Sequence, residues 1–111
     1  GILIPAKVTG ENSLENEDLG KIKGNFIKHY PKGSDVQLLL QPEDLEHDDK
    51  SNLKLDVVDR KFRGTNFIYT LRTRSKKLIP VFVHSHHIHQ HEKDEKFGIK
   101  RPIHIDHIVC F

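Results

Sequence analysis

The chain has 111 residues, 35% of them hydrophobic and 31% charged, which is enough for one domain and too few for two. Its net charge of +2 excludes a strong electrostatic attraction to nucleic acid, and its apolar runs are shorter than the roughly 20 residues that span a bilayer. The single cysteine excludes an intramolecular disulfide and is typical of a reducing compartment. The chain contains no methionine, and we expect residues 1–111 to be a single domain within a longer protein.

Short runs of β-branched and aromatic residues that alternate with polar residues follow one another along the chain. Such period-two alternation is typical of half-buried strands. We predict seven strands, at residues 2–8, 21–27, 36–40, 53–60, 66–72, 78–83 and 103–111. Many short strands with frequent turns predict an all-β fold, either a small barrel or a sandwich.

The segments between these runs carry turn and loop signals. Residues 11–18 include four acidic side chains and are predicted to form an exposed loop, and Phe97-Gly98 is predicted to be a turn. Pro80 interrupts the sixth predicted strand, which indicates an edge strand or a bulge. Weak helical signals at 15–22 and 42–45 suffice for one turn at most.

A dense group of histidines is the most conspicuous candidate for chemistry. On a strand, residues two apart share a face, so the period predicts one pair and one trio of neighbouring imidazoles. The candidate ligands are His84 and His86 on one face and His87, His89 and His91 on the other. Neutral imidazole binds Zn, Ni and Cu, which indicates a surface metal site. A polar strand end that is merely rich in histidine is the alternative, since zinc sites usually have more regular spacing and mixed ligands.

The other candidate constellations are weaker. Cys110 and His107 could act as nucleophile and base, but Cys110 lies in an apolar run and no orienting carboxylate can be named for it. Glu43 and Asp44 are adjacent and do not face each other on a strand or a helix, so a capping or loop role is preferred. Residues 20–24 lack the P-loop pattern, and we therefore expect no enzyme activity and no ATP hydrolysis from this chain.

Four segments resemble, in the same order, the transport-associated OB domain (TOBE) of ABC-transporter ATP-binding subunits. They are residues 3–8, 33–45, 57–71 and 103–111. The second contains Gln41-Pro42-Glu43-Asp44, which resembles the family's Arg-Pro-Glu-Asp element with Gln41 in place of the arginine. The third resembles a hairpin with a glycine at its tip, Gly64, and the last resembles the closing strand with its terminal aromatic residue. Among the subgroups, the N-terminal segment and residues 21–30 are most similar to those of ferric-iron or related (Fbp-type) importers.

This resemblance implies an OB-like small barrel of short antiparallel strands that follows a nucleotide-binding domain. It implies a regulatory and dimer-stabilising role on the cytoplasmic side of the inner membrane, in a peripheral protein. The partners would be a second copy of the subunit and, through the parent protein, the membrane permease subunits. No cofactor is expected within residues 1–111, because ATP and Mg²⁺ would bind only in the ATPase domain.

Two other functions are kept as alternatives. The first is a stand-alone metal- or oxyanion-binding module that uses the histidine group. The second is an OB-type nucleic-acid binder, because residues 60–77 combine seven basic side chains with aromatic ones. Phe67 and Tyr69 would share one strand face, where core packing is the default, and the low net charge leads us to expect no nucleic-acid partner.

Overall fold

The structure is a computed structural model, and it describes residues 1–84 and 96–111. These residues form nine strands and no helix. The strands are β1 (Ile2–Gly10), β2 (Ser13–Asn16), β3 (Gly20–Phe26), β4 (Asp35–Leu40), β5 (Lys54–Arg63), β6 (Asn66–Arg72), β7 (Leu78–His84), β8 (Lys96–Gly98) and β9 (Ile103–Ile108). The predicted all-β fold of short strands is confirmed.

The chain divides into two compact units. Unit 1 comprises Gly1–Leu40 and Pro102–Phe111, and unit 2 comprises Gln41–Arg101. Unit 2 is thus inserted in the sequence between the fourth and the last strand of unit 1. That residues 1–111 act as one TOBE-like domain stays a prediction.

Unit 1 is built around a five-stranded sheet with the order β4-β1-β2-β3-β9. Its last residues leave β9 and return to β4, where the Leu39 N–H donates to the Val109 carbonyl and the Phe111 N–H donates to the Gln37 carbonyl, each at 2.9 Å. The ring of strands is thereby closed, in keeping with the OB-like barrel predicted from the sequence. One pairing departs from the expected antiparallel pattern, because β3 and β9 run parallel.

Alternation of side chains decides which face of each unit 1 strand is buried. In β1 and β4 the buried positions are apolar and alternate with more exposed positions, as the period of two requires. The buried apolar side chains of unit 1 are Ile4, Ala6, Val8, Leu14, Leu19, Ile22, Val36, Leu38, Leu40, Ile103, Ile105 and Ile108.

The prediction of an exposed loop at 11–18 is wrong, because β2 occupies half of this segment. Leu14 is fully buried, and Asn16 is only 4% exposed. The Asn16 amide donates to the Pro5 carbonyl at 2.8 Å, and its side-chain oxygen accepts from the N–H groups of Asp18 and Leu19, each at 2.9 Å. Because its side chain makes these three hydrogen bonds, Asn16 can occupy a buried, inward position. From composition alone, a polar residue is expected to be exposed.

Unit 2 contains a four-stranded antiparallel sheet with the order β7-β6-β5-β8. Its buried apolar side chains come from all four strands and from the segments beside them. They are Leu45, Leu55, Val57, Tyr69, Leu71, Ile79, Val81, Val83, Phe97 and Ile99. The predicted turn at Phe97-Gly98 is wrong, since both residues lie in β8 and Phe97 pairs with Leu55 of β5. A three-residue strand is too short to show a period in the sequence.

The predicted place of Pro80 is confirmed within the described part of the chain, where β7 forms one edge of the unit 2 sheet. Pro80 lies opposite Thr70 of β6. Proline has no N–H to donate, so it is tolerated at an edge strand and would break the ladder in a central one.

Neither weak helical signal yields a helix. Residues 15–22 pass through β2, a turn and the start of β3, and residues 42–45 form a turn and a bend. In the parts of the chain that the structure describes, no helix has the length and apolar character needed to cross a membrane.

Asp56 carries a cross-strand charge cluster in unit 2. It lies opposite Arg72 of β6 and Lys96 of β8. The Lys96 ammonium donates a hydrogen bond to its carboxylate, and the Arg72 guanidinium lies 3.6 Å away. Lys96 foremost, and then Arg72, lower the pKa of Asp56 below its ordinary value against the opposing effect of desolvation.

We expect Lys96→Ala to raise the pKa of Asp56 toward its ordinary value. Because the folded-state pKa is lowered, the cluster stabilises unit 2 above the unfolded-state pKa of about 4 and loses that contribution as the pH falls through the folded-state pKa. A ¹³C NMR titration of the Asp56 carboxyl group measures the change. Lys100→Ala removes a lysine that pairs with Glu46 instead, and serves as the control. An Asp56 pKa that does not move in Lys96→Ala would contradict the assignment.

Candidate functional site

The family-motif positions Gln41, Pro42, Glu43 and Asp44 form a tight turn, called here the 41–44 turn. The Asp44 N–H donates to the Gln41 carbonyl at 3.0 Å, and the Gln41 N–H donates to Asp44 Oδ2 at 2.7 Å. Of the two bonds, the one from the Gln41 N–H to the Asp44 carboxylate resembles half of a capping box, here in a turn and not at a helix start. The Pro42 carbonyl accepts from the N–H of Phe82 at 2.9 Å, which ties the turn to β7. Glu43 is left exposed at the tip.

Asp44→Ala should loosen the 41–44 turn and destabilise unit 2 by about 2 kcal/mol, because a hydrogen bond to a charged acceptor is lost. Asp44→Asn keeps an oxygen acceptor at that position and should cost less. Urea unfolding gives the free energy of unfolding, and hydrogen exchange at the Gln41 amide gives the local effect. Unchanged protection of that amide in Asp44→Ala would contradict the proposed role of the carboxylate.

Gly64 lies at the tip of the β5–β6 hairpin, as the resemblance implies. Arg63 pairs with Asn66, so the loop consists of Gly64 and Thr65 alone. Gly64 has φ of +68°, a left-handed conformation that favours glycine. A positive φ at the first loop residue is the requirement of a type II′ hairpin turn. Gly64 therefore has a structural role in this chain.

A cleft in unit 2, called here the unit 2 cleft, is lined by Glu43 of the motif and by His84. Its volume is about 460 Å³, within the range of small-molecule sites. The 41–47 segment forms one wall, and β7 with the start of β6 forms the other. The lining residues are Glu43, Leu45, Glu46, His47, Asn66, Phe82, Val83 and His84. Glu43 and His84, identified from separate features of the sequence, thus line one cleft.

The polar groups of the cleft differ in how they are held. His47 Nε2 lies 2.7 Å from Asp49 Oδ1, and the imidazole packs on the Phe97 ring with 4.6 Å between centroids. Glu46 forms an ion pair with Lys100 at 3.4 Å, in which both side chains are largely exposed. Within the described residues, Glu43 takes part in no ion pair. The Glu43 carboxylate is therefore available to a ligand.

Of the five candidate histidine ligands, His84 lies within the described residues. His84 is exposed at the end of β7, whereas His86, His87, His89 and His91 lie outside the described residues. In residues 1–84 and 96–111, no three His, Cys, Asp or Glu side chains are grouped so that they could hold a metal ion. A metal site on the histidine group stays a prediction.

Cys110 and His107 show no sign of a nucleophilic pair. Cys110 lies in the segment that closes the unit 1 sheet, where it bridges to Leu38. Burial raises the pKa of its thiol. A raised pKa disfavours the thiolate, which is the nucleophilic form. His107 is exposed on β9.

The basic and aromatic residues of the β5–β6 hairpin pack against one another. Tyr69 is fully buried, Phe67 contacts Phe62 with 5.1 Å between centroids, and the Arg60 guanidinium lies 5.2 Å from the Phe67 centroid. In OB folds that bind oligonucleotides, strands 2 and 3 and nearby loops form the surface. In unit 1 that surface mixes charges, with Glu15 directly opposite Lys21. This pattern does not favour a nucleic-acid partner.

Sequence reasoning missed most of the cleft. Glu46 and His47 lie in a stretch interpreted as a loop and turn, and Asn66, Phe82 and Val83 were interpreted only as strand residues. These segments are far apart in the sequence, so no local sequence pattern indicates that they form one cleft. Only the pairing of β6 with β7, and the bond from Phe82 to Pro42, bring them together.

No protein-family model matches the chain, and it has no significant match among curated proteins.

Proposed function

We propose that residues 1–111 are a C-terminal accessory domain of an ABC-importer ATP-binding subunit, of the transport-associated OB type. The role proposed is to stabilise the dimer of ATP-binding subunits and to regulate it. Ferric iron or a related solute is the proposed cargo. The domain itself is proposed to bind no cofactor and to hydrolyse no ATP, since ATP and Mg²⁺ would bind in the preceding ATPase domain.

The observation that carries this proposal is where the four segments that resemble the TOBE family lie in the structure. They coincide with β1, with β4 and the 41–44 turn, with the β5–β6 hairpin, and with β9 and the chain end. The all-β fold supports the proposal, because β1, β4 and β9 belong to the OB-like closed sheet of unit 1 and the 41–44 turn and the β5–β6 hairpin are regular elements of unit 2.

Gln41 stands where the family motif has an arginine, and this difference is compatible with the proposal. Both hydrogen bonds that close the 41–44 turn use backbone atoms of Gln41, together with the carboxylate and N–H of Asp44. Replacing the family's arginine by glutamine therefore leaves the turn intact. Any contact that an arginine side chain makes with a partner would be altered.

The proposed mechanism is mechanical. Contacts between the domains of two subunits would hold the ATPase pair together while the nucleotide sites open and close. A ligand that binds one of these states more tightly would bias the cycle by its difference in affinity. The subunit would be peripheral, on the cytoplasmic side of the inner membrane, where its parent would contact the permease subunits.

Two measurements test separate parts of the proposal. The reading frame upstream of Gly1 is expected to encode a P-loop, Gly-x-x-x-x-Gly-Lys-Ser/Thr. Sedimentation of residues 1–111 is expected to show dimers at about 1 mM protein, which corresponds to about 4 kcal/mol of association free energy. A parent protein without a P-loop would refute the transporter assignment. A strictly monomeric chain would show that this region lacks the dimer contact.

A further inference from the structure

We propose that the unit 2 cleft binds a primary ammonium group carried on an aliphatic chain. Either a lysine side chain of a partner protein or a free polyamine offers this chemistry. The inference stands on the cleft and does not depend on the transporter assignment.

The charge of the lining favours a cation. Glu43 and Glu46 are exposed at the cleft, and no lysine or arginine lines it among the described residues. Lys100 reaches Glu46 but is not a lining residue, while Glu43 has no ion-pair partner in the described part of the chain. Because Glu46 is paired with Lys100, Glu43 is the carboxylate that is open to a cation, and a negative charge next to a cavity attracts an ammonium and repels an oxyanion.

The apolar part of the lining favours an aliphatic chain behind the charge. The exposed ring of Phe82 supplies most of the accessible apolar surface of the cleft, and Leu45 and Val83, which are 3% and 6% exposed, contribute only narrow strips beside it. Methylene groups gain free energy when they cover such a surface while the ammonium stays at the rim, as lysine side chains do. An inorganic cation would leave this surface in contact with water.

An aromatic ring at the same cleft adds a second reason. Phe82 is 38% exposed, because it alternates on β7 with the buried Val81 and Val83 and points to the opposite face of the strand. Its N–H bond to Pro42 holds the backbone beside the 41–44 turn. An exposed aromatic ring attracts ammonium groups through its π face. Carboxylates, an apolar surface and a ring together match the chemistry of an alkylammonium group.

The test is a ¹H–¹⁵N NMR titration of the whole chain at pH 7.5, with N-acetyl-lysine methylamide and spermidine as probes and butyrate as the anionic control. We expect the backbone amides of Glu43, Glu46 and Val83 to shift with either amine, with a dissociation constant of about 1–10 mM. Butyrate should leave them unchanged. Tighter binding of the lysine derivative assigns the site to a protein partner, and tighter binding of spermidine assigns it to polyamines.

Matched variants make the test specific. Glu43→Gln/Glu46→Gln should weaken binding about fivefold, since each exposed charge contributes modestly. Phe82→Leu should weaken it about twofold. Glu15→Gln/Glu17→Gln makes the same charge change on unit 1 and should have no effect. Equal shifts with butyrate, no shift at tens of millimolar amine, or equal weakening by the unit 1 control would overturn the proposal.

Discussion

Replacing Gly24 with alanine should destabilise unit 1 by more than about 3 kcal/mol. Gly24 is buried in β3 and lies opposite Ile105 of β9. A Cβ at this position would overlap the Ile105 carbonyl oxygen and lie 2.9 Å from the carbonyl carbon. Both are backbone atoms, so the two parallel strands would have to move apart. The hydrogen bonds between β3 and β9 would then be lost as well.

Urea unfolding and amide hydrogen exchange measure this effect. The exchange experiment should show the largest loss of protection in β3 and β9. Gly10→Ala is the matched control, because its added Cβ would meet only the flexible Ser13 hydroxyl, at 3.0 Å. If both alanine variants unfold at the same urea concentration as the unchanged chain, the close approach of the two strands is wrong.

Phe97→Ala should cost about 3–5 kcal/mol, the range for removal of a buried aromatic side chain. Phe97 is fully buried in unit 2. Its ring packs against Tyr69 with 5.1 Å between centroids and against His47 with 4.6 Å. Removing it would leave a cavity beneath the wall of the cleft, so His47 should also lose its packing surface.

Phe62→Ala makes the same substitution in the same unit at a site that is 61% exposed. Its cost should stay below about 1 kcal/mol. Urea unfolding of both variants, followed by far-UV circular dichroism, gives the comparison. Equal losses of stability in the two variants would mean that Phe97 is not part of the unit 2 core.

The 41–44 turn connects the resemblance to the site. The Asp44 carboxylate closes the turn, while Glu43 is exposed at the unit 2 cleft. The adjacent acidic residues therefore have different roles, one structural and one open to a ligand. This outcome agrees with the capping role preferred from the sequence for the pair, and it adds the exposed carboxylate of Glu43.

Period-two alternation predicted the longer strands well. Ile4, Ala6 and Val8 alternate with exposed residues in β1, and a pattern of this kind reports directly which face is buried. The short strands β2 and β8 escaped prediction for two reasons. β2 has an acidic residue, Glu15, on its outward face and a buried asparagine, and β8 has only three residues. The parallel pairing of β3 with β9 depends on contacts about 80 residues apart in the chain and leaves no local pattern.

By itself, the sequence determined the all-β class, the edge position of Pro80 and the glycine turn at Gly64, because each depends on the backbone and side-chain preferences of a few adjacent residues. Only the tertiary structure decided the closure of unit 1 and the meeting of Glu43 with His84 at one cleft. These features require hydrogen bonds and packing between distant segments. Their free energy is gained only after the chain has brought those segments together.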